Sequence, residues 1–597
     1  MIGNAYTRAN EDDVRALSFM YIAQAGLLRV VRTRAAELAA SLLLLVMAVT
    51  LVAVTARKSI TNDEIVMIPA AYNHVVRSNT DSVREHPPLS KFLAVVPLLF
   101  IQPNEVAQET DATVSDEDKW VDQARFWGEN PAAFEALSFW PRLPLIALTL
   151  TMGVIIFAFA RDLFGARAAV LAVALFSLEP TILAHGRVVQ TDIPAAFGFL
   201  LVFFMLYRYV GDPTFRRAAW LGIAAGLALL SKFSMLLVCP ILLLFFLALL
   251  WQARQKGQKH VTLFAQAATV VLIATFIINA AYYFHRNGLT NADAVWVKQS
   301  FPGSDVAVTR ALSALGYLLP VDFVLGVFWQ IWHDKGGHSA GLLGMYSRTG
   351  WWYYFPVAFA LKTSLPFLFV SLGSLAWGVF EWLKKRDKRF LWLLVPFALY
   401  TTFVLFSRID IGVRYYLPAF PFLFILGGAL LDRLLNSRSA RRASMLVAIA
   451  LLCWMGVEAA RAYPNHMSYM NQLASAHPHW WYLSDSNVEW GDDARELALY
   501  LRARGETRVR ATFLGHFLTL QHYGVELVDM MGPQENQQPT RYVAVGASFL
   551  NGSTVPDELM HVRWSNDAER VNFFDAYRHR APEAIIGNSI YVYRMHD

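Results

Sequence analysis

Cysteine is nearly missing from this chain. Its 597 residues hold only Cys239 and Cys453, both inside apolar runs, so neither a disulfide framework nor a cysteine-based zinc site can be built. Charge is scarce as well. Asp, Glu, Lys and Arg make up 16% of the residues, against about 25% in soluble domains, while 56% are hydrophobic and 14% aromatic. That deficit argues against a soluble enzyme and predicts a polytopic membrane protein. The net charge of +6 fits loops on one side of a membrane, so nucleic acid is not an expected partner. Internal repeats, low-complexity tracts and a Rossmann-like Gly-rich loop are also absent.

Apolar runs near 37–55, 141–160, 168–184, 193–210, 218–235, 236–252, 261–281, 353–380, 390–406, 415–431 and 443–460 predict about eleven transmembrane helices. Pro88 to Ile101 is shorter and reads as a re-entrant or interfacial helix, or as a twelfth span. Residues 1–36 are polar, and the first apolar run comes late for a cleaved signal peptide, so an uncleaved signal-anchor is expected. Taking Arg29, Arg32 and Arg34 as cytoplasmic, every second loop is short and basic, from Arg161/Arg167 to Arg433/Arg438/Arg441/Arg442. The positive-inside rule then gives a multi-pass protein of the plasma (inner) membrane, N-terminus cytoplasmic and C-terminus extracytoplasmic.

The expected organisation is a cytoplasmic segment 1–36, a transmembrane domain 37–460 and an extracytoplasmic soluble domain 461–597. The membrane domain carries a first outer loop, 56–138, and a large one, 282–352. In the soluble domain, alternating segments such as Arg508–Phe513 and Arg541–Val545 predict strands of a small α/β or α+β unit. Asn551-Gly552-Ser553 has the form of a glycosylation sequon.

The polar residues of interest fall on the outer side. Asp63 and Glu64 follow the first span, where acids are costly and therefore functional candidates. A run of this kind is equally good at starting a surface helix. Arg187 and Asp192 flank the mouth of the fourth span. Lys232, Arg414 and Tyr415 lie at the outer mouths of later ones, where cations break the positive-inside trend, and Lys362 lies in the middle of the eighth, near Pro356 and Pro366. Cations beside apolar walls suit a phosphate on a lipid tail. Carboxylates opposite them suit proton abstraction from a hydroxyl. Together they predict glycosyl transfer from a polyprenyl-phosphate sugar, with Asp63 as base, Glu64 and Asp192 orienting acceptor or sugar, and Arg187, Lys232, Lys362 and Arg414 holding the phosphate.

The same positions form separated motifs: Asp63-Glu64, then Glu85-His86-Pro87-Pro88-Leu89, Arg187 with Asp192, Ser231-Lys232, Gly350-Trp351-Trp352 through Lys362-Thr363, Arg414-Tyr415 with Pro418, and Tyr482 to Asp493. In this the chain resembles the GT-C glycosyltransferases, most closely the protein O-mannosyltransferase-like family 39, whose relatives include the lipid A aminoarabinose transferases. His86 stands where relatives often have Lys, and Glu489 and Asp492 depart from the usual Asp-Trp-Gly-Gln-Asp. The resemblance implies a GT-C fold and an inverting transfer of mannose or another hexose or pentose to a protein, lipid or glycan acceptor of the cell envelope. No nucleotide sugar would enter the active site. It also implies Glu85 and His86 as a substrate loop and, in some relatives, a divalent metal held by a residue matching Glu85 and by a later histidine, here His338 or His333. The rival readings are a transporter or flippase, and a non-catalytic binder of a lipid-linked glycan. Against a transporter, the candidate charges lie on one side, whereas alternating access needs a midplane site.

Overall fold

The computed structural model describes residues 34–105, 116–256, 260–286, 288–436, 441–515, 517–532, 539–557 and 563–595. Arg29, Arg32, Arg438 and nearly all of the 1–36 segment lie outside them. Eight of the described helices are long and apolar enough to cross a membrane. α1 (Ala35–Thr55) is followed by α2 (Asn62–Val76) and α3 (Leu89–Ile101), then α4 (Leu143–Phe164), α5 (Ala166–Leu178), α6 (Asp192–Gly211) and α7 (Phe215–Leu229). Next come α8 (Val238–Gln255) and α9 (Val261–Ala281), then α10 (Asn291–Ser300), α11 (Asp305–Gly316) and α12 (Val321–Gly336). A short hairpin, β1 (Ala340–Leu342) and β2 (Met345–Ser347), leads to α13 (Tyr354–Lys362), α14 (Leu365–Lys385), α15 (Leu391–Leu405), α16 (Phe420–Leu435) and α17 (Arg441–Ala462).

Every expected span falls on helix, but three are shorter than expected. α5, α7 and α15 have 13, 15 and 15 residues, because α5 stops before Pro180 and α7 before the Ser231-Lys232 turn. The expected span 353–380 is broken. Pro366 has no N–H to donate to the Lys362 carbonyl, and its ring would clash with it. α13 therefore ends at Lys362 and α14 restarts at Leu365. The freed backbone groups are satisfied in the protein, as membrane depth demands. The Thr181 hydroxyl donates to the Lys362 carbonyl (2.7 Å), Ser364 N–H to Glu179 (3.2 Å), and Asn471 Nδ2 to the Ala360 and Thr363 carbonyls (2.6 and 2.7 Å). α3, at 13 residues, spans only about 20 Å, short of a bilayer core of about 30 Å.

Contacts sort the loops into two ends. At one end Arg161 pairs with Glu37, Arg208 with Asp162 and Arg167 with Asp432, while Arg389 donates to the Leu163 carbonyl. The other end carries the C-terminal domain. Its five-stranded sheet runs β4 (Glu526–Asp529), β3 (Arg508–Thr512), β5 (Tyr542–Gly546), β7 (Ile590–Arg594), β6 (Ala584–Ile586), with β4, β3 and β5 parallel and β7 antiparallel to both its neighbours. α18 (Ala494–Arg502) buries Ala494, Leu497, Ala498 and Leu501, a period of three and four that makes one apolar face. Asn551 is 9% exposed and its amide donates to the Trp480 carbonyl, so the sequon at 551–553 is closed to modification in this fold.

The seam between the two parts is polar and buried. Lys58 pairs with Asp493 and, at 2.9 Å, with Glu496; Arg187 meets Asp492 at 2.5 Å; Asn62 N–H donates to the Trp490 carbonyl at 2.8 Å. The segment 484–493 is thereby pressed onto the mouth of the helical bundle.

Candidate active site

α2 begins in a capping box: Thr61 accepts from Glu64 N–H, and Glu64 returns a bond to Thr61 N–H at 2.8 Å. Such a box holds a helix start firmly. Glu64 is spent further, since Arg142 reaches it through Nε (2.8 Å) and Nη2 (2.5 Å), and Val189 N–H donates to it at 2.9 Å. Both partners are fully buried. Successive residues on a helix point about 100° apart, so with Glu64 turned inward Asp63 faces outward.

Asp63 meets a different set. Its Oδ2 accepts from Arg414 Nη1 at 2.7 Å and from Gln190, and its Oδ1 from Trp490 Nε1 at 3.3 Å. Burial, the largest influence, pushes the carboxyl up, but the charge and hydrogen bond of Arg414, with His86 and Gln190, together outweigh it and hold Asp63 below the usual carboxylate range. Asp63 is ionised at neutral pH.

Arg414 stands on the 3₁₀ turn Val413–Ala419 that leads into α16. Its guanidinium lies over the Trp490 ring (4.3 Å) and within 3.7 Å of Asp192 and 3.9 Å of Asp485. Asp192, the first residue of α6, accepts from Lys232 Nζ at 2.6 Å, and Lys232 sits 3.5 Å from the centre of the Tyr415 ring. Lys232–Asp192–Arg414–Asp63 is therefore a chain of alternating charge. Arg414 Nε and Asp192 Oδ2 are buried with no hydrogen-bond partner, which leaves a donor and an acceptor unspent.

Two cavities meet this chain. One, about 510 Å³, is polar and lies under the C-terminal domain, lined by Asp63, His338, Arg414, Asp485, Trp490 and Thr554 among others. The other, about 540 Å³, is an apolar groove walled by Leu237, Val327, Ile331, Phe403 and Phe406, with Lys232 and Tyr415 in its lining.

Of the residues singled out in the sequence, the structure thus brings together Asp63, Asp192, Lys232, Arg414 and Tyr415. It places Arg187 and Lys362 elsewhere, while His86 lies close enough to Asp63 and Lys232 for their charges to act on it. Arg187 is buried against Asp492 in the seam, and Lys362 donates to the Met467 and Asn487 carbonyls at 2.7 and 2.5 Å. Glu85 and His86 lie in the turn before α3, where desolvation pushes the His86 imidazole down to about 4, so it is neutral at pH 7. His338 lines the polar cavity with Nδ1 3.0 Å from the Ser339 carbonyl. Among the described residues no group of three or more His, Cys, Asp or Glu side chains converges as a metal site. No step below passes through a metal.

Arg142, Gln190, Asp485 and Trp490 were not singled out as site residues. Arg142 had a signal, because in the orientation expected from the basic loops an Arg at this span end breaks the positive-inside trend just as Lys232 does. Trp490 and Asp485 sit in the 482–493 motif, whose place beside Asp63 comes only from folding.

Residues 134–279 match the family described as dolichyl-phosphate-mannose-protein mannosyltransferase. The match runs from just before α4 to the end of α9 and is a likeness over that segment. No curated protein matches the chain. Among solved structures, ArnT from Cupriavidus metallidurans bound to undecaprenyl phosphate shares 14% identity over 92% of this chain and 97% of its own, with a TM-score of 0.45. The Archaeoglobus fulgidus oligosaccharyltransferase shares 13% over 86% and 70%, TM-score 0.45. The S. cerevisiae Pmt1-Pmt2 complex bound to its sugar donor shares 10% over 77% and 91%, TM-score 0.42.

Proposed function

We propose that the protein transfers a monosaccharide, mannose or another hexose or pentose, from a polyprenyl phosphate to an acceptor hydroxyl, with inversion at the anomeric carbon. The observation that carries this is the meeting of the apolar groove and the polar cavity at Lys232–Asp192–Arg414–Asp63. A lipid tail fits the groove, a sugar and a hydroxylated acceptor fit the polar cavity, and the phosphate falls between them.

In this reading the acceptor oxygen attacks the anomeric carbon from the Asp63 side. Its proton passes to the Asp63 carboxylate as the new C–O bond forms. The old bond to the phosphate oxygen breaks, and its electron pair leaves with the polyprenyl phosphate. Lys232 and the free Nε of Arg414 meet the charge that grows on that oxygen, an interaction stronger in the transition state than in the ground state. Asp192 holds Lys232 in place. Glu64 fixes the start of α2 and so the direction of Asp63, and Arg187 and Lys362 hold the 484–493 segment and its neighbours over the site. The active face is extracytoplasmic, in the plasma (inner) membrane, since the basic loops gather at the opposite end.

The test is a transfer assay on the purified full chain with a panel of polyprenyl-phosphate sugars and hydroxylated acceptors. Release of polyprenyl phosphate coupled to sugar on the acceptor is expected from at least one donor. Loss of donor without a glycosylated product, or movement of lipid-linked sugar across vesicles with no transfer, would overturn the reading in favour of a binder or a flippase.

A further inference from the structure

Among the described residues, the groove at Lys232 is lined by the helical domain alone, whereas the polar cavity takes one wall, Ser553 to Asp557, from the C-terminal domain. That wall is held in one shape. Gly552 turns the chain into it at φ +92°, where a Cβ would collide with the Val571 carbonyl. Behind the wall Arg578 donates to the Leu550 and Asn551 carbonyls (2.5 and 3.2 Å), and the buried Arg570 donates to the Val555 carbonyl. At its outer end Asp557 pairs with Arg348 at 2.8 Å. The side chains this scaffold leaves unspent are Ser553 and Thr554. Ser553 is 4% exposed, both hydroxyl oxygens are buried, and among the described residues neither has a hydrogen-bond partner. A buried hydroxyl without a partner is costly, and these two border the cavity that holds Asp63 and Arg414.

We infer that Ser553 and Thr554 bind the acceptor, and that the acceptor they take is an uncharged saccharide. The inference rests on the transfer reading above. Three features point to that ligand. The donor comes through the groove in the helical domain, while the wall leads from the buried Ser553 to the exposed Asp557, an approach from the surface that the donor leaves free. A hydroxyl both donates and accepts, so two adjacent ones match the neighbouring hydroxyls of a sugar ring, which do the same. The carboxylates of Asp63, Asp485 and Asp557 line the cavity with a single guanidinium, that of Arg414, which is already bound to Asp63. An anionic acceptor would meet like charge there, which selects against it.

The experiment uses the full-length protein in nanodiscs, since a maltoside detergent would bring sugar hydroxyls of its own. Binding is read without donor, by saturation-transfer NMR, for a panel of methyl hexosides, the matching methyl uronates and a capped serine peptide of no net charge. Wild type is expected to bind at least one hexoside, and its uronate about tenfold more weakly. Ser553→Ala and Thr554→Val nearly keep the shape and delete one hydroxyl each. Either should weaken hexoside binding about tenfold without lowering Tm, because the hydroxyl bonds nothing in the free protein. Thr554→Ser keeps the hydroxyl and should keep the binding. In the transfer assay the two deletions should raise acceptor KM and leave donor KM unchanged. No hexoside binding by wild type, hexoside binding unchanged in both deletions, a uronate held as tightly as its hexoside, or a preference for the peptide would overturn the inference. If wild type binds a hexoside through these hydroxyls and transfers nothing to it, the transfer reading fails and the saccharide site stands.

Discussion

Asp63 and Glu64, one peptide bond apart, are committed to different cations: Asp63 accepts from Arg414 at 2.7 Å beside the cavity, and Glu64 from Arg142 at 2.5 Å in the core. Neutralising each therefore has a different consequence. Asp63→Asn keeps the shape and should leave folding and donor binding intact while turnover falls by about 10²–10⁴. Glu64→Gln leaves a buried Arg142 uncompensated and should cost about 3–5 kcal/mol of stability. Transfer rates and thermal unfolding in detergent, measured side by side, separate the two. A Glu64→Gln protein with full stability and no activity would make Glu64 the base.

The pH profile follows from the sign of the Asp63 shift. A carboxyl held below its ordinary value contributes its ionised form at every pH above that value and loses it only as pH falls through the depressed one. Turnover should be flat from neutrality down to about pH 4. Arg414→Gln removes the cation and leaves burial unopposed, so the residual activity should acquire an acid limb about one to three units higher. An unmoved limb would mean that Asp63 is not the titrating base.

Lys232 bonds Asp192 at 2.6 Å and borders the apolar groove. Lys232→Met keeps the apolar stem and removes the charge. Donor KM should rise and kcat fall together, because the lost contact grows with the leaving-group charge. Steady-state kinetics with varied donor check this, and a change confined to acceptor KM would remove Lys232 from the phosphate.

Trp490 gives Asp63 an N–H at 3.3 Å and Arg414 a ring face at 4.3 Å. Trp490→Phe keeps the ring and deletes the donor, and should lower turnover about tenfold, the value of one hydrogen bond to a charged group. Trp490→Ala, which also frees Arg414, should lose more. Equal losses in the two variants would show that only the N–H matters and that the ring face over Arg414 contributes nothing.

Asp492 is the partner of the buried Arg187 across the seam. Asp492→Ala should destabilise the protein by about 3–5 kcal/mol and make the 484–496 segment newly cleavable by protease while the helical bundle stays protected. Unfolding curves and limited proteolysis read the two effects. Cleavage no faster than in wild type would show that the seam does not depend on this pair.

Gly491 shows how tightly that segment is set. Its φ is +91°, and a Cβ there would stand 2.5 Å from the Leu514 carbonyl. The turn it allows separates Trp490, which faces Arg414, from Asp492, which faces Arg187. No spacing rule in the sequence distinguishes the two directions.

The sequence by itself determined the spans, the polar C-terminal domain and the cations that break the charge bias, because hydrocarbon enforces composition residue by residue. It also held both readings of Thr61-Asn62-Asp63-Glu64, as helix cap and as functional acid. Only the tertiary structure assigned the cap to Glu64, through Arg142 from the start of α4 and Val189 from the loop before α6, and left Asp63 to Arg414, 351 residues away. It likewise took Lys362 out of the site, where Pro366 breaks the helix, and brought Trp490 in. Hydrophobicity is read along the chain, whereas the partner of a buried charge is fixed by which distant segments pack against it.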